Sequence, residues 1–216
     1  MKYALPLSLT ATAFLAACGG SGSSDPIALA EINTAGETLF NVSEGLDDDS
    51  IGLYDEASLV AKGSARYEGH TLAGVDDTND IFVGRTSLRV TFSGGGSLTG
   101  TATDFVTFVD PTFGGGSTFE PIPEGTEITA VDGMLTYSGG ALGTNADGGF
   151  GALDILVDGT ITIPAALSIT DREEVYTIEG EMIGAVTDQE TFLAEGSYRA
   201  ESSDVGFDGF AVIIAD

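Results

Sequence analysis

The amino-acid sequence predicts an all-β fold, a single eight-stranded antiparallel up-and-down β-barrel, and three observations carry that reading. Eight runs, at about 63–72, 82–93, 97–109, 126–138, 149–163, 174–186, 190–201 and 206–214, alternate apolar and polar residues and are separated by Gly, Asp, Asn and Pro clusters. None of the segments between them has helical periodicity. The chain carries 31 glycines in 216 residues with no Gly-X-Y period, a load that suits turns and bent strands. That length predicts one domain, and a 42% hydrophobic fraction is enough to build a core despite a formal charge of −27.

Taken in order, Met1–Ala17 reads as a secretory signal, with Lys2 as its charge and Ala4–Ala17 as an apolar run too short to span a bilayer. It ends in Leu15-Ala16-Ala17-Cys18, and Cys18 is the only cysteine. This resembles the bacterial lipobox, which implies cleavage before Cys18 and acylation of its sulfur and new α-amine; the alternative is a buried cysteine after an ordinary cleavage site. Residues 18–25 then form the lipidated cysteine and a Gly/Ser tether. Gly19 after the cysteine resembles the outer-membrane sorting signal of Gram-negative lipoproteins, and several acyl chains suffice for stable anchoring. Residues 26–61 read as an acidic, partly irregular leader, in which Ile27–Ile32 suits a short helix or strand and Asp47-Asp48-Asp49 a solvated loop.

Residues 62–216 are the barrel domain. Leu153, Ile155, Val157, Ile161 and Ile163 share one parity, against Asp154, Asp158, Thr160 and Thr162 on the other. Tyr176, Ile178, Met182 and Val186 repeat the pattern against Thr177, Glu179 and Glu181, as do Phe192, Ala194 and Tyr198 against Glu195, Arg199 and Glu201. Gly159, Gly180, Gly184 and Gly196 fall on the inward parity, where a missing side chain permits bending around a narrow interior. Hairpins at Ser93–Gly96 and Thr187–Gln189 favour a closed barrel, and a β-sandwich is the alternative that alternation leaves open. A membrane-spanning barrel would bury Asp154, Asp158, Glu179, Glu181 and Glu195 in lipid or line a very acidic pore with them, so a lipid-tethered barrel outside the bilayer is the better reading.

Gly63-Ser64-Ala65-Arg66-Tyr67-Glu68-Gly69, the run Ser87–Phe105 with its Gly94-Gly95-Gly96 hairpin and Leu98-Thr99-Gly100, and the later Gly180–Gly184 and Ala194–Tyr198 hairpin together resemble the barrel domain of transferrin-binding protein B-like surface lipoproteins. The resemblance spans about residues 62–214 and implies a small surface barrel that captures a protein or an iron- or haem-type ligand through its loops. The chain departs from the family in lacking the two-lobed architecture with handle domains, and its end at Gly206–Ile214 differs, so transferrin itself is not implied.

Recognisable catalytic chemistry is sparse. His70 is the only histidine, which rules out multi-imidazole zinc sites; no Gly-X-Ser-X-Gly elbow occurs; and the glycine runs lack the Lys-Ser/Thr of a phosphate loop. With 34 acidic against 7 basic residues, nucleic acid and anionic headgroups would be repelled. Asp76-Asp77-Thr78-Asn79-Asp80 places oxygen donors in one loop, with Asp76, Thr78 and Asp80 as candidate Ca²⁺ ligands against the plainer reading of a solvated turn. Tyr67 and His70 are both haem-ligand types, but their odd spacing sets them on opposite faces of a strand, and an exposed His is the simpler expectation. The longest loop, Asp110–Glu124, offers Phe113 and Phe119 among Gly and Pro, either as partner anchors or as a lid on the barrel mouth. The expectation is therefore a monomeric, outer-membrane, lipid-anchored binding lipoprotein. No enzymatic activity and no cofactor are expected, and the expected partner is an unknown protein or small ligand. The alternative is a passive acidic envelope lipoprotein with a structural or cation-binding role.

Overall fold

Alternation in the sequence becomes nine strands in the computed structural model, which describes residues 26–75, 80–109, 120–145, 149–165, 172–203 and 206–216. The strands are β1 Ser64–Val75, β2 Asp80–Thr91, β3 Ser97–Val109, β4 Thr129–Ala130, β5 Asp132–Thr144, β6 Gly151–Ile163, β7 Glu174–Val186, β8 Phe192–Glu201 and β9 Gly206–Ala215. Each long strand pairs antiparallel with its neighbours in sequence, and β9 returns to β1, so eight strands close an up-and-down barrel. The two-residue β4 lies outside this ring and pairs only with the end of β3, at Val106↔Ala130 and Thr107↔Thr129. Closure removes the free sheet edges that a sandwich would have to protect.

Inward parity builds the core as expected. Leu153, Ile155, Val157, Ile178 and Phe192 are buried in one cluster with Leu88, Val90, Phe92, Phe105 and Ile213. Several polar groups inside are paired: the Thr71 hydroxyl lies 2.7 Å from that of Thr86 and 2.5 Å from that of Tyr137, and Tyr198 donates to the Gly74 carbonyl at 3.0 Å. The inward glycines mark where walls approach. A Cβ on Gly196 would sit 2.0 Å from the Glu181 carbonyl oxygen, so only hydrogen fits at that bend. The fourth expected run, 126–138, is displaced in the structure to 132–144. Gly139 and Gly140, just past the end of the expected run, form a bulge within β5 at φ +98° and +80°.

Residues 26–61 are more ordered than the sequence reading allowed, since they hold two helices: α1, Leu29–Asp47, and α2, Glu56–Lys62. In α1 the apolar residues Leu29, Ile32, Ala35, Leu39, Val42 and Leu46 recur at three- and four-residue spacing and form one stripe. That stripe lies on the outside of the barrel, against Leu72, Val83, Val106, Phe108 and Ile214. The helix ends where Asp49 takes a left-handed φ of +59° and the Ile51 amide donates to the Gly45 carbonyl at 2.8 Å. Asp47 closes the helix and Asp48 caps it, so only the last part of the expected acidic loop is a turn. The shorter α2 is bounded by Asp55, whose carboxylate accepts the Ser58 amide at 2.7 Å, and by Gly63 at φ +80°.

Candidate functional site

Up-and-down topology sorts the connections onto two rims. The β2–β3, β5–β6 and β7–β8 turns share one rim with the start of β1 and the end of β9. The segments after β1, β3, β6 and β8 leave from the other. The first rim is occupied by α2 and the residues before it: Leu59 is fully buried in the barrel core, the Tyr54 amide donates to Val186, the Gly151 amide to Tyr54, and the Phe92 amide to Gly63. Lys62 and Glu190 form an ion pair across this closure, and the Tyr54 hydroxyl donates to Glu190 at 2.9 Å.

The strand ends that bound both loops singled out in the sequence lie on the second rim. Asp76–Asp80 leaves the end of β1, and Asp110–Glu124 leaves the end of β3. Phe113, Phe119, Asp76 and Thr78 lie outside the described residues, as does Cys18; Asp80 begins β2, and its side chain is likewise outside the description. The far end of the longer loop is tied down, because Asn33 of α1 accepts the Ile122 amide at 2.8 Å and donates to its carbonyl at 3.2 Å. On the inner side of the same rim Glu174 is buried and accepts a hydrogen bond from the Tyr176 hydroxyl, whose ionisation is pushed well above the usual range, first by burial and then by that carboxylate. Among the described residues no three His, Cys, Asp or Glu side chains converge to hold a metal ion.

Tyr67 and His70 separate as the strand spacing predicts. Tyr67 points into the core, 5.3 Å from the Phe192 ring, with its hydroxyl unpaired and its pKa pushed up to about 12 by burial. His70 points outward, yet it is not the freely exposed side chain expected from sequence: its Nε2 lies 2.9 Å from Glu31 Oε1. The same Glu31 carboxylate accepts two bonds from Arg85, Nε and Nη2, both at 2.9 Å, and Arg85 Nη1 is 3.8 Å from Asp104. One acidic residue of α1 thus bridges β1 and β2, and this junction, which sequence reasoning missed, fixes where the helix lies on the barrel wall.

No known protein family, curated protein or solved structure matches this chain. Among the described residues no helix is long and apolar enough to cross a membrane.

The junction makes a pH prediction. Arg85 first, and His70 after it, hold the Glu31 carboxyl at about 2 against an ordinary value of 4.5. A carboxyl depressed in the folded state stabilises above its unfolded pKa and loses that contribution as pH falls toward the folded value. Glu31→Gln should therefore cost about 1–2 kcal/mol at pH 7, discounted for the partial exposure of the pair, and should flatten the fall in stability between pH 4.5 and 2. Urea titrations across that window check it; parallel acid limbs for the two proteins would show that Glu31 adds nothing.

Proposed function

We propose that the chain is a lipid-anchored outer-membrane lipoprotein, exposed at the cell surface, that captures a protein or an iron- or haem-type ligand with the loops of its second rim. The lipid anchor rests on Leu15-Ala16-Ala17-Cys18 and the Gly/Ser tether, and the ligand class rests on the resemblance of 62–214 to the barrels of transferrin-binding protein B-like lipoproteins. The observation that carries the reading is the asymmetry of the two rims. One is filled by α2 and Leu59, while both candidate loops, the longer of them Asp110–Glu124, spring from strand ends on the other. A side-chain-filled barrel is a rigid base for such loops, and Pro111, Pro121 and Pro123 reduce the ordering cost of the longer one.

Capture from spent medium and cell envelope, with mass spectrometry of proteins, haem and metals, tests the reading. A partner should be retained by the native chain and weakened by about 2 kcal/mol or more in Phe113→Ala/Phe119→Ala, with no fall in melting temperature. Unchanged affinity would move the site off this loop, a lower melting temperature would make the rings a lid, and no specific capture would leave the passive acidic lipoprotein. Cys18→Ser should accumulate as unprocessed or unanchored protein; retention in the outer membrane after a high-salt wash would reject the anchor.

A further inference from the structure

Outward positions on a barrel wall in water should be polar, and over most of β6 and β7 they are: Asp158, Thr160, Thr177 and Glu179 follow the rule. Val175 breaks it near the second rim, and two adjacent cross-strand rows break it further along the wall. In one, Asp154 stands opposite Ile183 and Ile183 opposite Glu195; in the next, Leu156 stands opposite Glu181 and Glu181 opposite Ser197. Leu156 and Ile183 are diagonal neighbours and are 53% and 49% exposed, large apolar side chains held in water within a ring of carboxylates. The wall is hollowed there, since Asp154, Leu156, Glu181, Ile183, Glu195 and Ser197 line a single concavity. Through Ile183 and Glu195 it runs into a groove beside α1, lined by Leu39, Leu46, Leu193 and Val212.

The charges in this hollow are unbalanced. Among the described residues Asp154, Glu181 and Glu195 have no cationic partner, and Arg199, the cation of the following row, is held by Glu201 at 2.5 Å and Asp208 at 3.1 Å. Three carboxylates around exposed aliphatic side chains repel an anionic lipid surface or a nucleic acid and favour an occupant that brings positive charge together with apolar surface. We propose that this wall docks a basic protein segment, which lays apolar side chains over Leu156 and Ile183 and offers Lys or Arg to Asp154, Glu181 and Glu195. The surface lies on the flank of the barrel, separate from the rim loops, so it stands whether or not those loops bind anything.

The test titrates the full chain with three synthetic peptides of equal length, built from Lys and Leu, from Lys and Ser, and from Glu and Leu. The Lys/Leu peptide should bind, more weakly as salt rises, and the other two should bind at least about tenfold more weakly. Asp154→Asn/Glu181→Gln/Glu195→Gln should lose at least about tenfold in affinity, while Glu37→Gln/Asp47→Asn/Asp132→Asn, which removes the same charge from exposed positions elsewhere, should change it less than about twofold. Leu156→Ser/Ile183→Ser should lose a similar factor with an unaltered melting temperature. Equal losses in the two charge variants would reduce the effect to net charge and overturn the proposal. So would equal binding of the Lys/Ser peptide, or no binding of the Lys/Leu peptide at low salt.

Discussion

Ile155→Asp is expected to lower the stability of the folded chain by more than about 4 kcal/mol, while Asp158→Asn, three residues further along the same strand, changes it by less than about 0.5. Ile155 is 1% exposed, inside the barrel and packed among apolar side chains, so a carboxylate there would be buried without a partner or forced to take up a proton. Asp158 faces water and stands directly opposite Glu179, so removing its charge also removes a small repulsion. Urea unfolding of the two variants at neutral pH measures the contrast. Similar midpoint shifts would mean that the strand's faces are reversed.

Parity of this kind is why the barrel was legible. A strand with one dry and one wet face writes its orientation into every second residue, and β6, β7 and β8 lie within two residues of the runs read from the sequence. Where both faces are dry, the signal fails. Ile81-Phe82-Val83, Phe105-Val106 with Phe108, and Ile213-Ile214 are apolar on both parities, because one face fills the barrel and the other lies under α1. Those runs, taken with the Ile32, Ala35, Leu39, Val42 stripe, are the trace of a helix packed on the wall. In the sequence the stripe is diluted by Thr34, Gly36, Thr38 and Ser43.

The candidate sites were legible to different degrees for the same reason. The two rim loops were found through composition, which marks where strands stop without saying which stops share an end; only the pairing order puts both on one rim. Glu31 is one acid among 34 Asp and Glu residues, and nothing local distinguishes it. Its partners lie 39 and 54 residues away on two strands, and such a contact exists only after the barrel has closed and α1 has settled on it. Alternation assigns Asp154, Glu181 and Glu195 to the wet face, where they are exposed. Their grouping around Leu156 and Ile183 depends on the register between three strands.

Leu59→Ala should cost about 2–5 kcal/mol, the usual range for emptying a fully buried leucine site, and its effect should fall first on the closed rim. Seven residues are too few to hold a helix in water unaided, so α2 depends on what it docks against. Leu59 is its one buried side chain, packed so closely on β6 that a Cβ on Gly151 would lie 2.6 Å from the leucine Cδ1. The polar contacts that remain, among them Gly151 to Tyr54, Tyr54 to Val186, Thr144 to Glu56 and the Lys62–Glu190 pair, lie at the rim and do not replace that burial. Amide exchange over residues 52–63 should therefore quicken by a larger factor than exchange in the middle of β6 and β7, where the ladder is intact on both sides. Val60→Ala, at a neighbouring position that is 45% exposed, should change stability by less than about 0.5 kcal/mol and serves as the control. A loss below about 1 kcal/mol in Leu59→Ala, with unchanged exchange over 52–63, would make α2 a surface appendage, and the asymmetry between the two rims would no longer support binding at the second.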